Sequence, residues 1–82
     1  MRIFLSEKAE KELNRLDKQV KERIVKALKK LSGNFIGLNI KKLRSKESIW
    51  RLAVGEWRVI FEVQWNDKFI LILHIKDRRD VY

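Results

Sequence analysis

The chain has 82 residues, with 20 lysines and arginines against 11 aspartates and glutamates, which gives a formal net charge of +9. That length predicts one domain, residues 1–82, with a thin hydrophobic core. Cysteine is absent and histidine occurs once, at His74. Disulfides and thiolate metal sites are therefore excluded, and we expect neither a metal site nor a cofactor.

The same composition also indicates the cellular compartment and the kind of binding partner. No apolar run approaches the ~20 residues of a membrane span, and the first residues do not read as a signal peptide, so we expect a cytoplasmic protein with no membrane partner. The positive charge favours a polyanion such as nucleic acid. An acidic protein partner would fit the charge equally well.

The first half of the chain predicts a short strand and then two helices. Residues 1–5 are apolar and β-prone, which predicts an edge strand. Ser6 stands at an N-cap position before a stripe of apolar residues at helical spacing. Asp17 is placed to cap a second amphipathic helix, which residues 32–34 end. The segment 40–44 is compatible with either a short extended piece or one helical turn.

The second half predicts three consecutive strands, at residues 49–54, 57–65 and 68–75. The middle strand alternates strictly, so its odd-numbered residues from Trp57 to Trp65 should face the core. The last strand is almost wholly apolar, as a central strand covered on both faces would be. We therefore predict an α+β fold, with an N-terminal helical hairpin packed on one face of a mainly antiparallel sheet of about four strands.

Arginines are predicted on the sheet face opposite the helices. Side chains alternate between the two faces of a strand, so Arg51 and Ala53 should lie on the face opposite the core-facing residues of their strand. Arg58 should likewise point away from the core. Both should project from one open face, which the tail at residues 76–82 borders. One guanidinium group can donate two parallel hydrogen bonds to phosphate oxygens, so a face that carries arginines suits a phosphodiester. The rim of this face is predicted to carry Lys41, Lys42, Arg44 and Lys46.

Three stretches of the sequence carry a resemblance to a known family. They are LSEKAEKELNRLDKQVKERIVKAL, LNIKKLRSKESIWRLAVGEWRVIFEV and ILHIKDRRDVY. In this order, and in a chain of this size, they resemble the RelE/ParE superfamily of toxin–antitoxin toxins, and within it the RelE-like messenger-RNA interferases. The family's architecture agrees with the fold predicted from the residues.

The resemblance implies a metal-independent endoribonuclease that cleaves mRNA on the ribosome and forms a hetero-oligomer with a cognate antitoxin. By position in the motifs, Arg58 corresponds to the arginine that holds the phosphate, and Arg51 to a basic residue of the preceding strand. Arg78 corresponds to a tail residue that stabilises the transition state or protonates the leaving oxygen, and Lys76 matches less closely. Tyr82 corresponds to a tyrosine that stacks on or orients a base. The implied RNA-binding residues are Lys41, Lys42, Arg44, Lys46, Lys76 and Arg79.

Departures from the family pattern leave other functions open. Ala53 stands where active relatives often carry a second basic residue, Asp77 stands where many carry histidine, and the short C-terminal helix of some relatives is not expected. One alternative is a ParE-like gyrase poison, and another is a weak or inactive binding module of the same fold. The arginines could also be ordinary surface cations, paired with Glu56, Glu62, Asp77 and Asp80.

Overall fold

The computed structural model describes residues 1–33, 37–43 and 48–81. Five strands and three helices follow one another along the chain. In order they are β1 (Arg2–Leu5), α1 (Glu7–Asn14), α2 (Lys18–Gly33), β2 (Asn39–Lys42), β3 (Ile49–Val54), β4 (Trp57–Gln64), β5 (Phe69–Asp77) and α3 (Arg78–Val81). No helix of these ranges has the length and apolar character needed to cross a membrane.

The strands form one five-stranded sheet in the order β1-β5-β4-β3-β2. β1 pairs with β5 in parallel, and the other neighbours are antiparallel. The α+β class is as predicted, but the expectation of about four strands is wrong. The fifth strand is β2, where Ile40 lies opposite Leu52 and packs against the core, so that pairing with β3 makes this segment extended.

The helical hairpin is not the N-terminal element, because β1 comes first and occupies one edge of the sheet, as the sequence of residues 1–5 predicted. Ser6 caps α1 by accepting a hydrogen bond from Ala9 N at 3.0 Å. Asp17 caps α2 in the same way, with Val20 N as the donor at 3.0 Å. Both caps satisfy amide groups that have no partner within the helix.

The core lies between the hairpin and one face of the sheet. Its buried members come from both helices and from β3, β4 and β5: Ala9, Leu13, Ile24, Ala27, Leu28, Leu31, Leu52, Val59, Phe61, Val63, Ile70, Ile72 and Ile75. Trp50 and Trp57 pack against this core from the same side. The opposite side of the sheet, which carries Arg51 and Arg58, is called the open face below.

Two expectations at the strand ends are corrected. β4 ends at Gln64, so Trp65 lies beyond the sheet and is 58% exposed instead of facing the core. β5 continues to Asp77, and the one-turn helix α3 follows it where no C-terminal helix was expected. Arg78 N donates to Glu56 O at 2.7 Å, and this bond holds the start of α3 against the turn between β3 and β4.

Candidate functional site

Cross-strand pairing brings the predicted cations together on the open face. Opposite residues in an antiparallel ladder point to the same side of the sheet. Arg58 lies opposite Ala53 of β3 and Lys76 of β5. In the next row, Arg51 lies opposite Lys41 of β2. The two rows are diagonal neighbours, so these four cations form one patch across four strands, β2 to β5, with neighbouring strands ~4.8 Å apart.

Arg58 is held by the turn that connects its own strand to β3. Its Nη1 atom donates to Gly55 O at 2.8 Å and to Trp57 O at 2.9 Å. Its Nε atom is buried, with no hydrogen-bond partner among the described residues. The strand position thus puts Arg58 on the open face, while the guanidinium bends back towards the β3–β4 turn. Nη1 thus donates to two backbone carbonyls, whereas Nη2 has no hydrogen-bond acceptor among the described residues.

The β3–β4 turn, Gly55–Glu56, also gathers the cations of the tail. Arg78 Nε lies 3.7 Å from the Glu56 carboxylate, and the Arg78 amide binds the Glu56 carbonyl. Arg58 and Arg78 therefore meet at the same turn from two directions. The Arg78–Glu56 pair is largely exposed, and such a pair is worth only ~0–1 kcal/mol, so a phosphate group could replace the carboxylate at little cost.

Arg79, an RNA-binding residue in the sequence-based prediction, forms an ion pair with Asp77. Its side chain is 85% exposed, and Nε lies 3.1 Å from Asp77 Oδ1, which also accepts from the Arg79 amide. The hydrogen bond from the Arg79 side chain lowers the pKa of the Asp77 carboxyl, and the same bond raises the pKa of the Arg79 guanidinium. This pair lies within α3 and its entry, beside the patch.

Lys76 and His74 share a carboxylate that the sequence reasoning missed. Glu12 of α1 reaches the edge of β5, where its Oε1 accepts from Ile75 N at 2.9 Å. Its Oε2 lies 3.7 Å from Lys76 Nζ, and Oε1 lies 3.8 Å from His74 Nδ1. The Glu12 side chain is only 17% exposed. No sequence signal marks this residue, because its role depends on how α1 lies along β5.

Some of the remaining predicted site residues lie on the open face, one lies on the helix side of the sheet, and three lie outside the described residues. Lys41 and Arg51 are neighbours on the open face. Lys42 follows Lys41 directly in β2 and therefore points to the other face of the sheet. Its Nζ lies 5.6 Å from the ring centre of Trp50 on the helix side. The structure thus removes Lys42 from the rim of the open face. Arg44, Lys46 and Tyr82 lie outside the described residues.

Chemically, the patch can bind and stabilise anionic oxygens. Arg58, Lys76, Arg51 and Lys41 supply fixed positive charge on a rigid sheet, and Arg78 adds a fifth cation at the turn. Residues 1–33, 37–43 and 48–81 contain no cluster of three or more histidine, cysteine or acidic side chains that could hold a metal ion. Glu12 and Glu56 are the carboxylates that balance part of this charge.

Comparisons with known proteins place this fold in a family. The family described as the ParE toxin of type II toxin–antitoxin system, parDE, matches residues 3–82. The archaeal RelE–RelB complex from Pyrococcus horikoshii OT3 has a similar chain, with a TM-score of 0.82 and 28% identity, covering 94% of this chain and 93% of that chain. A chain of the intact RelBE toxin–antitoxin complex of E. coli is also similar, with a TM-score of 0.77 and 17% identity, covering 93% of this chain and 94% of that chain. At this identity the similarity is one of fold alone.

A curated relative adds a partial match. Toxin RelE1 of Methanocaldococcus jannaschii is 34% identical over 44 residues, which cover 54% of this chain and 49% of the relative. The chain thus spans about half the length of the curated relative that it matches.

The hairpin, the five-stranded sheet and the open basic face together define a toxin fold of the RelE/ParE superfamily. The chain belongs to the ParE toxin family of type II toxin–antitoxin systems, which its match over residues 3–82 shows.

Proposed function

We propose that this toxin is a metal-independent endoribonuclease of the RelE-like branch, which cleaves mRNA on the ribosome and is neutralised by a cognate antitoxin. The observation that supports this most strongly is that Arg58 and Arg78 both bind the β3–β4 turn, with Lys76 opposite Arg58 on the neighbouring strand. A gyrase poison has no need for this grouping of cations on one face of the sheet. The resemblance of the strand and tail motifs to RelE-like interferases agrees with the placement.

The proposed reaction is an internal transesterification of RNA. The 2′-oxygen forms a bond to the adjacent phosphorus, the bond from phosphorus to the 5′-oxygen breaks, and a 2′,3′-cyclic phosphate results. The proton of the 2′-hydroxyl passes to a base, and the leaving 5′-oxygen takes up a proton. The phosphorane between these steps carries one more negative charge than the ground state, so fixed cations stabilise the transition state selectively.

The cations have distinct parts in this scheme. Arg58, held by two backbone carbonyls, offers its remaining edge to the non-bridging phosphate oxygens. Arg78 exchanges the Glu56 carboxylate for a phosphate oxygen or the leaving group. Lys76, directly opposite Arg58, contributes charge from the neighbouring strand, and Arg51 with Lys41 binds the RNA on the next row. Tyr82 is proposed to stack on or orient a base.

The ribosome supplies what a small site lacks. The described patch residues supply positive charge on an open sheet face, and we expect the RNA to be oriented in part from outside the toxin. An mRNA fixed in the ribosome arrives with its backbone already positioned, which removes much of the entropic barrier. Ala53 lies directly opposite Arg58, at a position where active relatives often carry a basic residue. Because the patch lacks that cation, orientation of the RNA by the ribosome would contribute more to the rate.

The antitoxin is proposed to be an acidic protein. The P. horikoshii and E. coli structures with this fold are complexes of RelE with RelB. In this chain, the net charge of +9 and the uncovered basic face fit an acidic segment that lies over the site and blocks RNA.

One experiment separates the nuclease from the gyrase poison, which the family description keeps as the second candidate. Purified toxin is added to a translation extract, and the translated mRNA is mapped by primer extension. A parallel reaction contains gyrase and supercoiled plasmid. We expect new stops within the coding region and no trapped double-strand DNA breaks. Trapped breaks with intact mRNA would assign the protein to the ParE-like activity instead.

A further inference from the structure

A second group of cations lines a cavity on the helix side of the molecule. Arg23, Lys26 and Lys30 recur at the spacing of one α2 face, and they project towards the ends of β2 and β3. Between these elements lies a cavity of about 340 Å³. Besides these three cations, its described lining includes Leu38, Asn39 and Val54.

The charge in this cavity is unbalanced. None of the described residues that line it carries a carboxylate. Within the described residues, Arg23, Lys26 and Lys30 have neither an ion pair nor a hydrogen-bond partner for their side chains. Three like charges around one concavity repel each other, and a bound anion with several oxygens would relieve that repulsion.

Arg23 connects this cavity to the candidate site. Gly55 has a φ of 58°, and a Cβ atom added there would lie 2.6 Å from Arg23 Nη2. On the same glycine, the carbonyl oxygen accepts a hydrogen bond from Arg58. Arg23 and Arg58 thus flank the β3–β4 turn from its two sides, and a polyanion that crosses the turn passes from one guanidinium to the other.

From these observations we propose that Arg23, Lys26 and Lys30 form a second phosphate-binding site, which holds the RNA backbone where it leaves the open face around Gly55. A phosphodiester fits better than an acidic peptide, because the arginine fork matches phosphate oxygens and Asn39 adds an amide to the same wall. The apolar floor of Ala27, Leu38 and Val54 suits the sugar and base that accompany each phosphate. That the polyanion is RNA rests on the proposed function.

The test compares two triple variants that lose the same charge from the same helix. One replaces Arg23, Lys26 and Lys30 by alanine. The matched control replaces Lys18, Lys21 and Lys29, which do not line the cavity and belong to a neighbouring groove that shares only Lys26 with it. Binding is measured by fluorescence anisotropy with a 2′-O-methyl RNA oligonucleotide, which this class of reaction cannot cleave, so the result does not depend on catalysis. Circular dichroism confirms that both variants are folded.

We expect the cavity variant to bind the oligonucleotide at least 10-fold more weakly and the salt slope to fall by about two, as loss of three phosphate contacts predicts. The control should lose less than about 3-fold in affinity. Equal losses in the two variants would overturn the site in favour of diffuse attraction. Unchanged RNA affinity with lost antitoxin co-purification would overturn it in favour of a protein partner.

A second measurement distinguishes RNA from free phosphate. The Nε–Hε resonance of Arg23 is followed by NMR during titration with the oligonucleotide and with inorganic phosphate. A saturating shift with the oligonucleotide, and only a weak one with inorganic phosphate, is expected. Saturation by inorganic phosphate without a response to RNA contradicts the proposal. If mRNA is not cleaved but the cavity variant still loses RNA binding, the proposed function fails and this site stands.

Discussion

Arg58 combines a structural contact with a place on the open face. Its two bonds to Gly55 O and Trp57 O fix the guanidinium, and no carboxylate of the described residues forms an ion pair with it. Carbonyl oxygens leave the full positive charge available to a ligand, whereas an ion pair would cancel it. A preorganised cation of this kind needs little rearrangement when charge develops on a phosphate, which is the condition for strong transition-state stabilisation.

Replacing Arg58 tests that role at the residue scale. We expect Arg58→Ala to lower mRNA cleavage and growth inhibition by ~10²-fold or more, which corresponds to ~3 kcal/mol of transition-state stabilisation. Loss of the two turn bonds should reduce the free energy of unfolding by about 1 kcal/mol. Cleavage is measured by primer extension and stability by urea unfolding.

The control for Arg58 lies on the same strand and face. Glu62 contacts Gln64 and carries the opposite charge, so Glu62→Ala should change cleavage far less. Full toxicity of a folded Arg58→Ala protein would remove this residue from the mechanism.

At this scale, the sequence predicts which face a side chain occupies but not what it contacts. Strict alternation put Arg51 and Arg58 on one face, because parity in a strand is fixed by the backbone. The bend of Arg58 towards its own turn depends on rotamer and turn geometry. The pairing of Arg78 with Glu56 and of Arg79 with Asp77 matches the surface-cation reading that the sequence left open.

At the scale of elements, α1 completes the outer edge of β5. β1 ends opposite Ile72, so the next part of that edge has no strand partner. Ser6 donates from its amide to Ile72 O at 2.8 Å and from its hydroxyl to Leu73 O at 3.0 Å. Glu12 then accepts from Ile75 N. The helix thus satisfies backbone groups that an exposed edge would leave unpaired.

Two variants of Glu12 separate its acceptor from its charge. Glu12→Ala leaves the partly buried Ile75 amide without a partner, and we expect it to cost about 1–3 kcal/mol in the free energy of unfolding. Glu12→Gln keeps an acceptor oxygen and should cost less than about 1 kcal/mol. Urea unfolding provides both values. Equal costs for the two variants would show that the charge near Lys76 matters more than the amide bond.

The elements were predictable to different degrees for physical reasons. The hairpin and β3 follow from periodicity and caps, since Ser6 and Asp17 each bind the expected amides. β2 contains a single apolar residue, Ile40, so only its pairing with β3 makes it a strand. α3 depends on the bond from Arg78 to Glu56, which no local pattern shows.

For the whole molecule, the decisive property is the distribution of its positive charge. Cations of the open face and of α2 approach each other around the β3–β4 turn, where Arg58 and Arg23 contact the same glycine. We therefore expect a partner that covers this region to carry negative charge. The sequence predicts the total charge, but only the fold shows that its two basic surfaces meet.

Association with the antitoxin tests this distribution. Purified toxin should bind its cognate antitoxin, which we expect to be a small acidic protein encoded in the neighbouring reading frame. The on-rate should fall steeply between low and high salt, because long-range attraction steers the encounter. Stopped-flow fluorescence measures the rate. An on-rate that does not change with salt, or a neighbour that fails to co-purify, would contradict an electrostatically steered antitoxin.

If the 2′-hydroxyl of the RNA attacks its own adjacent phosphate, as proposed above, the chemical ends of the cut mRNA record that route. Fragments are recovered from a translation extract with wild-type toxin or Arg58→Ala, and their termini are identified by mass spectrometry. We expect 2′,3′-cyclic phosphate or 3′-phosphate ends paired with 5′-hydroxyl ends, and far fewer such fragments from the variant. Fragments with 3′-hydroxyl and 5′-phosphate ends would contradict this route.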